Sequence, residues 1–454
     1  MTISTVQKKK GKIEYIMKTF DDSVELIRNF MRINTSNPPG NEEDAVLFLE
    51  DVLRREGIVS EIFSAVPRRA NILARIKGKE KGRPVILLSH VDVVPVNEAE
   101  WTVDPFGAEI KGGYLYGRGA IDMKSQAICQ LIAFMALAGE GVKPERDIIY
   151  LATCDEEVGG SHGVEFMLKK VPELRNASFV LSEGGFMIKE GGHVNAQIAV
   201  TEKQLGQFIV RARGRGGHGS MPHGDNANEK IVAASGRILS HKWPMKRTAI
   251  TSAYLKGTLE GKIMEGSKFP TLDRALKSKK WKSYLESNEI YNAILRNTVT
   301  LTILRGGEKV NVIPAGSEAY FDARLLPGES HENFFKKIGR LAGEDVEIER
   351  IGAGIGEPGS SRYGTVYFHG IGKCVRSLKG EDVPILPYIM TGATDLRYFR
   401  NLGVPSYGFF PITLNKEELL RMHGKDERIS IENIREGLEG CGRILKFLST
   451  LRAG

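Results

Sequence analysis

Residues 83–94 read RPVILLSHVDVV, an apolar, β-branched run that predicts a buried strand. Inside it stand a histidine and an aspartate, His90 and Asp92. Side chains two apart on a strand share a face. Burying either of them without a partner costs several kcal/mol. So either the two satisfy each other, or they face something that wants them.

Similar runs surround this one. NILARIKG (71–78), DIIYLATCDEE (147–157) and ASFVLSEGG (177–185) also read as strands. Helical stretches alternate with them: SVELIRNFMRI (23–33), a helix capped by Asn41 that runs toward Gly57, and SHGVEFMLKK (161–170). After GRGAIDMK (117–124), Ile128, Leu131, Ile132 and Met135 recur at helical spacing. Alternating strands and helices predict an α/β fold, a central sheet flanked by helices. Residues 1–20 read as a loose or helical extension.

From residue 203 the rhythm changes. LGQFIVRARG (205–214), VTLTILRG (299–306), SEAYFDARLL (317–326) and DVEIERIG (345–352) are strand-like. NANEKIVAASGRILS (226–240) and SHENFFKKIGRLAG (330–343) are helical. Strand–helix–strand–strand–helix–strand is the ferredoxin-like order. GAGIGEPGSS (352–361) then closes the unit like a linker. The expected organisation is one domain over 1–202 and 357–454, with a ferredoxin-like α+β domain inserted over 203–356. Residues 243–297 read as an elaboration of the insert.

A chain of 454 residues exceeds one ordinary core, which agrees with two domains. With 41% hydrophobic and 26% charged residues, its composition is that of a soluble globular protein. No apolar run is long enough to span a membrane, and the basic N-terminal cluster lacks the apolar core of a signal peptide. Cys129, Cys154, Cys374 and Cys441 show no CxxC pairing, so reduced, mostly buried cysteines and a cytoplasmic setting are expected. The net charge of +8 is spread along the chain. Its densest run, ALKSKKWKSYLES (275–287), reads as a solvated helix face, and no nucleic-acid-binding motif accompanies it.

Acidic residues and a histidine collect at the ends of the α/β strands. His90 and Asp92 follow ILLS, Glu156 and Glu157 end IIYLATCDEE, Glu183 ends SFVLSEGG, and Asp122 opens a helix. Singly, Asp122 reads as a helix N-cap and the glutamate pair as a solvated loop. Jointly they converge on the crevice outside the carboxyl ends of the strands, where open α/β sheets bind ligands. So much negative charge calls for cations, and a mixed N/O donor set suits Zn²⁺, with Co²⁺ or Mn²⁺ as alternatives.

SHVDVVP (89–95), GRGAIDMK (117–124), DEEVGG (155–160), SEGG (182–185), GGHGSMP (216–222), NVIPA (311–315), DARLLPG (322–328), GATD (392–395) and MHGKDERI (422–429) follow one another in this order. Together they resemble the di-zinc metallopeptidase family of aminoacylase, succinyl-diaminopimelate desuccinylase, acetylornithine deacetylase and carboxypeptidase G, over roughly residues 20–450. DEEVGGSHG, SEGGF and GGHGSMP are worded most like the Gly-X carboxypeptidase and N-acyl amino acid hydrolase branch.

The resemblance implies two divalent metal ions per chain. His90 and Glu183 would hold one, Glu157 and His423 the other, and Asp122 would bridge them. Glu156 would be the general base. Asp92 would accept a hydrogen bond from the second ring nitrogen of His90. The inserted domain would be a lid and dimerisation domain, its His218 reaching the active site of the partner subunit in a homodimer. Asn311, Arg324 and Gly392 match substrate-contacting positions, Arg324 suiting a free carboxylate. The implied activity is hydrolysis of small N-acyl amino acids or dipeptides through a metal-bridging water. A strict dipeptidase or carboxypeptidase, and a non-catalytic binding or scaffold relative, are the alternatives. Two departures from the family stand out: the length of 243–297, and Gln204 where glycine is frequent.

Overall fold

The structure, a computed structural model, describes residues 19–452 except 81, 261, 265 and 353–356. The extension expected over 1–20 therefore lies almost wholly outside the described residues, as does the middle of the linker stretch. The chain divides into two units, Met1–Val200 with Ser361–Pro387 and Thr394–Gly454, and Thr201–Ser360 with Tyr388–Ala393.

The first unit is built on a mixed sheet. Its centre is four parallel strands in the order Ile148–Thr153, Val85–His90, Phe179–Ser182 and Ser406–Gly408. Ser60–Val66 and Arg69–Ile76 extend it on one side, antiparallel. His193–Glu202, Met187–Glu190 and Thr413–Leu414 extend it on the other. Parallel strands covered on both faces read as unbroken apolar runs, and every residue from Val85 to His90 is buried. Ile86 and Leu88 join Ile149, Leu151, Val164, Met167 and Phe399 in one core cluster. Tyr150 turns the other way, its hydroxyl donating to the Ala127 carbonyl (3.3 Å) on helix Lys124–Gly139. Burying a side chain of this size contributes about 1.5–3 kcal/mol.

Two local expectations change. The strand stops at His90, because its parallel neighbour ends opposite it: His90 pairs with Thr153, and no ladder remains for Asp92. Asn41 does not cap the next helix, which runs Glu43–Arg55 behind Glu42 and takes no side-chain cap.

The second unit arranges Thr298–Gly306, Gly316–Leu325, Phe208–Arg213 and Glu347–Arg350 side by side, all antiparallel, in the ferredoxin-like order. Along Gly316–Leu325, Ser317, Ala319, Phe321, Ala323 and Leu325 alternate inward. Helices Ala227–Ser240 and His331–Ala342 cover that face with Ile231, Ile238, Phe334 and Ile338. The stretch 243–297 carries helices Ala249–Leu259, Leu272–Lys277, Lys279–Ser287 and Glu289–Leu295. The basic run 275–287 is thus not one solvated helix. Ser278 caps the second piece, its side chain accepting from the Trp281 amide, and Trp281 and Leu285 are buried. Among the described residues, no helix is long and apolar enough to cross a membrane.

Candidate active site

Three of the four central strands deliver their next residues to one place. His90 closes its strand, Asp155, Glu156 and Glu157 follow Ile148–Thr153, and Glu183 follows Phe179–Ser182. Asp122 arrives from the turn before helix Lys124–Gly139. It is not that helix's N-cap, a position held by Met123. His423 arrives from a loop 301 residues further along the chain.

Asp122 is the centre of the cluster. Its Oδ1 lies 3.0 Å from His90 Nε2, and its Oδ2 lies 2.9 Å from His423 Nε2. Each histidine also faces a glutamate: His90 Nε2 is 3.5 Å from Glu183 Oε1, and His423 Nε2 is 3.7 Å from Glu157 Oε1. One carboxylate therefore stands between two imidazole–carboxylate pairs. His90, Glu156 and Glu183 bring one donor atom each within 4.8 Å of one another, and so do His90, Asp122 and Glu157.

The electrostatics show what this crowding costs. Burial, then the charge of Asp122, pushes both Glu157 and Glu183 up to about 8. Burial also raises Glu156. Burial opposes charge on the histidines, but Glu183 followed by Asp122 and Asp92 raises His90 well above the imidazole range, and Asp122 raises His423 to about 9. Despite its burial, hydrogen bonds from His423 and His90 hold Asp122 low. The carboxylates need positive charge between them. Imidazole nitrogens and carboxylate oxygens in this number fit divalent transition metals. His90, Glu183 and Asp122 Oδ1 could hold one ion, and His423, Glu157 and Asp122 Oδ2 a second.

Asp92 stands behind His90 and does more than face its ring. The nearest acceptor to His90 Nδ1 is the backbone carbonyl of Asp92, at 3.0 Å, while the carboxylate lies at 3.5 Å. That carboxylate also accepts from the amides of Glu156 (3.2 Å) and Glu157 (3.1 Å) and from Asn37 Nδ2 (2.9 Å). Asp92 thus ties the His90 strand end to the glutamate turn.

Several residues escaped sequence reasoning. Asp155, at φ 74°, sets the direction of the glutamate turn. Its carboxylate accepts from Arg69, from Ser161 Oγ (3.0 Å) and from the His162 amide (2.8 Å). Arg69 in turn meets the fully buried Glu42 at 2.9 Å. Asp395 of GATD is buried beside Glu156 and adds to its raised proton affinity. Gly160 is forced by this neighbour: with φ at 74°, a Cβ there would lie 2.4 Å from Asp395 Oδ1. Only Asp155 and Asp395 had a signal, as the acidic ends of DEE and GATD.

His218, Asn311, Arg324 and Gly392 belong to the second unit. His218 is exposed on a two-residue strand paired with Val312–Ile313, and its Nδ1 lies 2.7 Å from Ser220 Oγ. Asn311 is adjacent, its carbonyl accepting from the Gly219 amide at 2.8 Å. Arg324 donates through Nε (2.8 Å) and Nη2 (3.2 Å) to Asp322. Gly392 sits in the loop after Met390, where a Cβ would come 3.2 Å from the Met390 methyl.

The profile of Peptidase family M20/M25/M40 matches residues 86–446. Human aminoacylase-1 is 31% identical over 444 residues, covering 95% of this chain and 96% of that protein. The N-fatty-acyl-amino acid synthase/hydrolase PM20D1 of Xenopus tropicalis is 27% identical, covering 90% of this chain and 83% of that protein. Among solved structures, the M20 family metallo-carboxypeptidase Sso-CP2 of Sulfolobus solfataricus superposes with a TM-score of 0.75 at 17% identity, covering 95% of this chain and all of that one. The Bacillus subtilis YXEP protein, described as a dinuclear metal binding peptidase, superposes at 0.59 with 16% identity, covering 95% and 99%. The fold agrees with these structures, and the match over most of its length makes the chain a member of peptidase family M20/M25/M40.

Proposed function

We propose that this chain is a di-metal amidohydrolase that releases an amino acid from small N-acyl amino acids or dipeptides bearing a free carboxylate. The observation that carries the reading is Asp122, one buried carboxylate with an imidazole at 3.0 Å from one oxygen and another at 2.9 Å from the other. Zinc is the expected ion, with cobalt or manganese able to replace it. A cytoplasmic setting suits the free state of all four cysteines.

When bound, the two ions would polarise the amide carbonyl and lower the pKa of the attacking water. Glu156 then accepts that water's proton and returns it to the leaving amine nitrogen. Asp92 holds Glu156 and Glu157 in register with His90 through the two amides it caps. Arg324, oriented by Asp322, takes the substrate carboxylate, with Asn311 and Gly392 as further contacts. The second unit serves as lid and dimerisation domain, and its His218 stabilises the developing oxyanion in the site of the partner subunit.

The test is a mass-spectrometric screen of N-acyl amino acids and dipeptides with added Zn²⁺, Co²⁺ or Mn²⁺. Free amino acid should appear, vanish with chelator and return with metal. Elemental analysis should find about two ions per chain. An active protein without bound transition metal would sink the reading. Cleavage of dipeptides alone would favour the strict peptidase.

A further inference from the structure

The two halves of the metal cluster are held in different ways. His90 ends a buried strand and is itself 2% exposed, so the sheet fixes it. His423 stands on a loop with its side chain 47% exposed. Its backbone is left-handed (φ 60°), as is that of Asp426 (φ 51°). Residues other than glycine keep such conformations only when the surroundings impose them.

What imposes them here is a buried ion pair. Glu427, four residues past His423, is 0% exposed, and its Oε2 lies 2.5 Å from Arg118 Nη1. The same carboxylate collects the amides of the turn that carries Asp122: Ile121 at 2.7 Å and Asp122 at 3.2 Å on Oε1, Gly119 at 3.3 Å on Oε2. Arg118 closes the circuit, its Nη2 donating to the His423 carbonyl at 3.2 Å. The Gly117 amide donates to the Glu427 carbonyl at 2.9 Å, and the Thr102 amide to Asp426 Oδ1 at 2.8 Å. One carboxylate and one guanidinium therefore bind the backbone of the shared aspartate to the backbone of the distant histidine.

Resting on the di-metal reading above, we propose that Arg118 and Glu427 are positioning residues that lock the His423 limb onto the Asp122 turn, and so set the affinity of the ion shared by His423, Glu157 and Asp122. Neither side chain reaches the reacting atoms. Groups that orient metal ligands from behind typically affect metal affinity about 10–100-fold.

The experiment is calorimetric titration of metal-stripped protein with Zn²⁺. Glu427→Gln keeps the shape of the side chain but puts an amide NH₂ against backbone donors. Arg118→Lys keeps the charge facing Glu427 and drops the second nitrogen that reaches His423. In both, one ion should bind within about threefold of wild type and the other should weaken about 10–100-fold. His423→Ala serves as the reference for loss of that same ion. Adding Glu427→Gln to it should leave the remaining ion unchanged. The retained first ion reports that each variant is folded. Equal weakening of both ions, or a lowered Tm with both affinities intact, would reduce the pair to a structural role and overturn the proposal. A wild type that binds no Zn²⁺ would sink the di-metal reading and this one with it. A wild type that binds two, beside variants that do likewise unchanged, would sink this one alone.

Discussion

Glu156 and Glu157 are neighbours in sequence with different surroundings. Glu157 accepts from the Val94 amide at 3.2 Å and faces His423, whereas Glu156 is grouped with His90 and Glu183. In the proposed roles, Glu156→Gln retains both metals and loses about 10²–10⁴ in kcat, the usual worth of a general base. Glu157→Gln should lose metal first. Elemental analysis beside steady-state kinetics decides, and metal loss in Glu156→Gln alone would reverse the assignment. Behind the turn, Glu42 offers a second test. Burial, followed by the charge of Asp92, pushes it from 4.5 up to about 7 although Arg69 is close. The folded chain therefore binds a proton that the unfolded chain gives up between those values. The stabilisation is full below 4.5 and is lost as pH rises through 7. Glu42→Gln cannot ionise and escapes this loss. Its stability relative to wild type, from urea unfolding, should rise between about pH 5 and about pH 7.5. A difference that stays constant over that range would refute the shift.

Strands buried on both faces were legible, as were the alternating strands of the second unit, whereas two other strands of the first unit were not. Val85–His90, Ile148–Thr153 and Phe179–Ser182 stand out because parallel central strands leave no polar alternation. Ser60–Val66, an edge strand with one face to solvent, and His193–Glu202, with Asn195 and Gln197 inside it, gave no such run. The metal-facing residues were legible for the converse reason: charge at the end of an apolar strand needs an explanation. Their supports were not, since Arg69, Arg118 and Glu427 look like ordinary surface charges until the fold joins them across long sequence separations. Residues 275–287 misled through charge density, because four lysines mask two apolar positions four apart, Trp281 and Leu285. Both are buried in helix Lys279–Ser287. Leu285→Ala should therefore cost about 2–5 kcal/mol in chemical unfolding. The exposed Lys282→Ala should stay within about 0.5 kcal/mol. If the two substitutions are equally silent, the helix is only a solvated face after all.

At the scale of the whole molecule, the proposal that tests most is that one chain's site is completed by another's. The exposed imidazole of His218 makes its contacts with Ser220, two residues away, and stands beside Asn311. A histidine on a glycine-rich turn needs no function, so position alone does not decide. Subunit mixing does. His218→Ala should be nearly inactive with metals intact, since removing an oxyanion donor typically costs about 10²–10³ in kcat. Glu156→Gln should be inactive for a different reason. Equal amounts are then mixed and allowed to exchange. In a mixed dimer, the site on the His218→Ala chain keeps its own Glu156 and borrows His218 from its partner, while the other site lacks both. Random pairing makes about half of the dimers mixed, each with one complete site of two, so about a quarter of wild-type activity should return. If His218 serves its own chain, every site in the mixture lacks one group and nothing returns. Exchange confirmed by native mass spectrometry without recovery of activity would rule out service in trans.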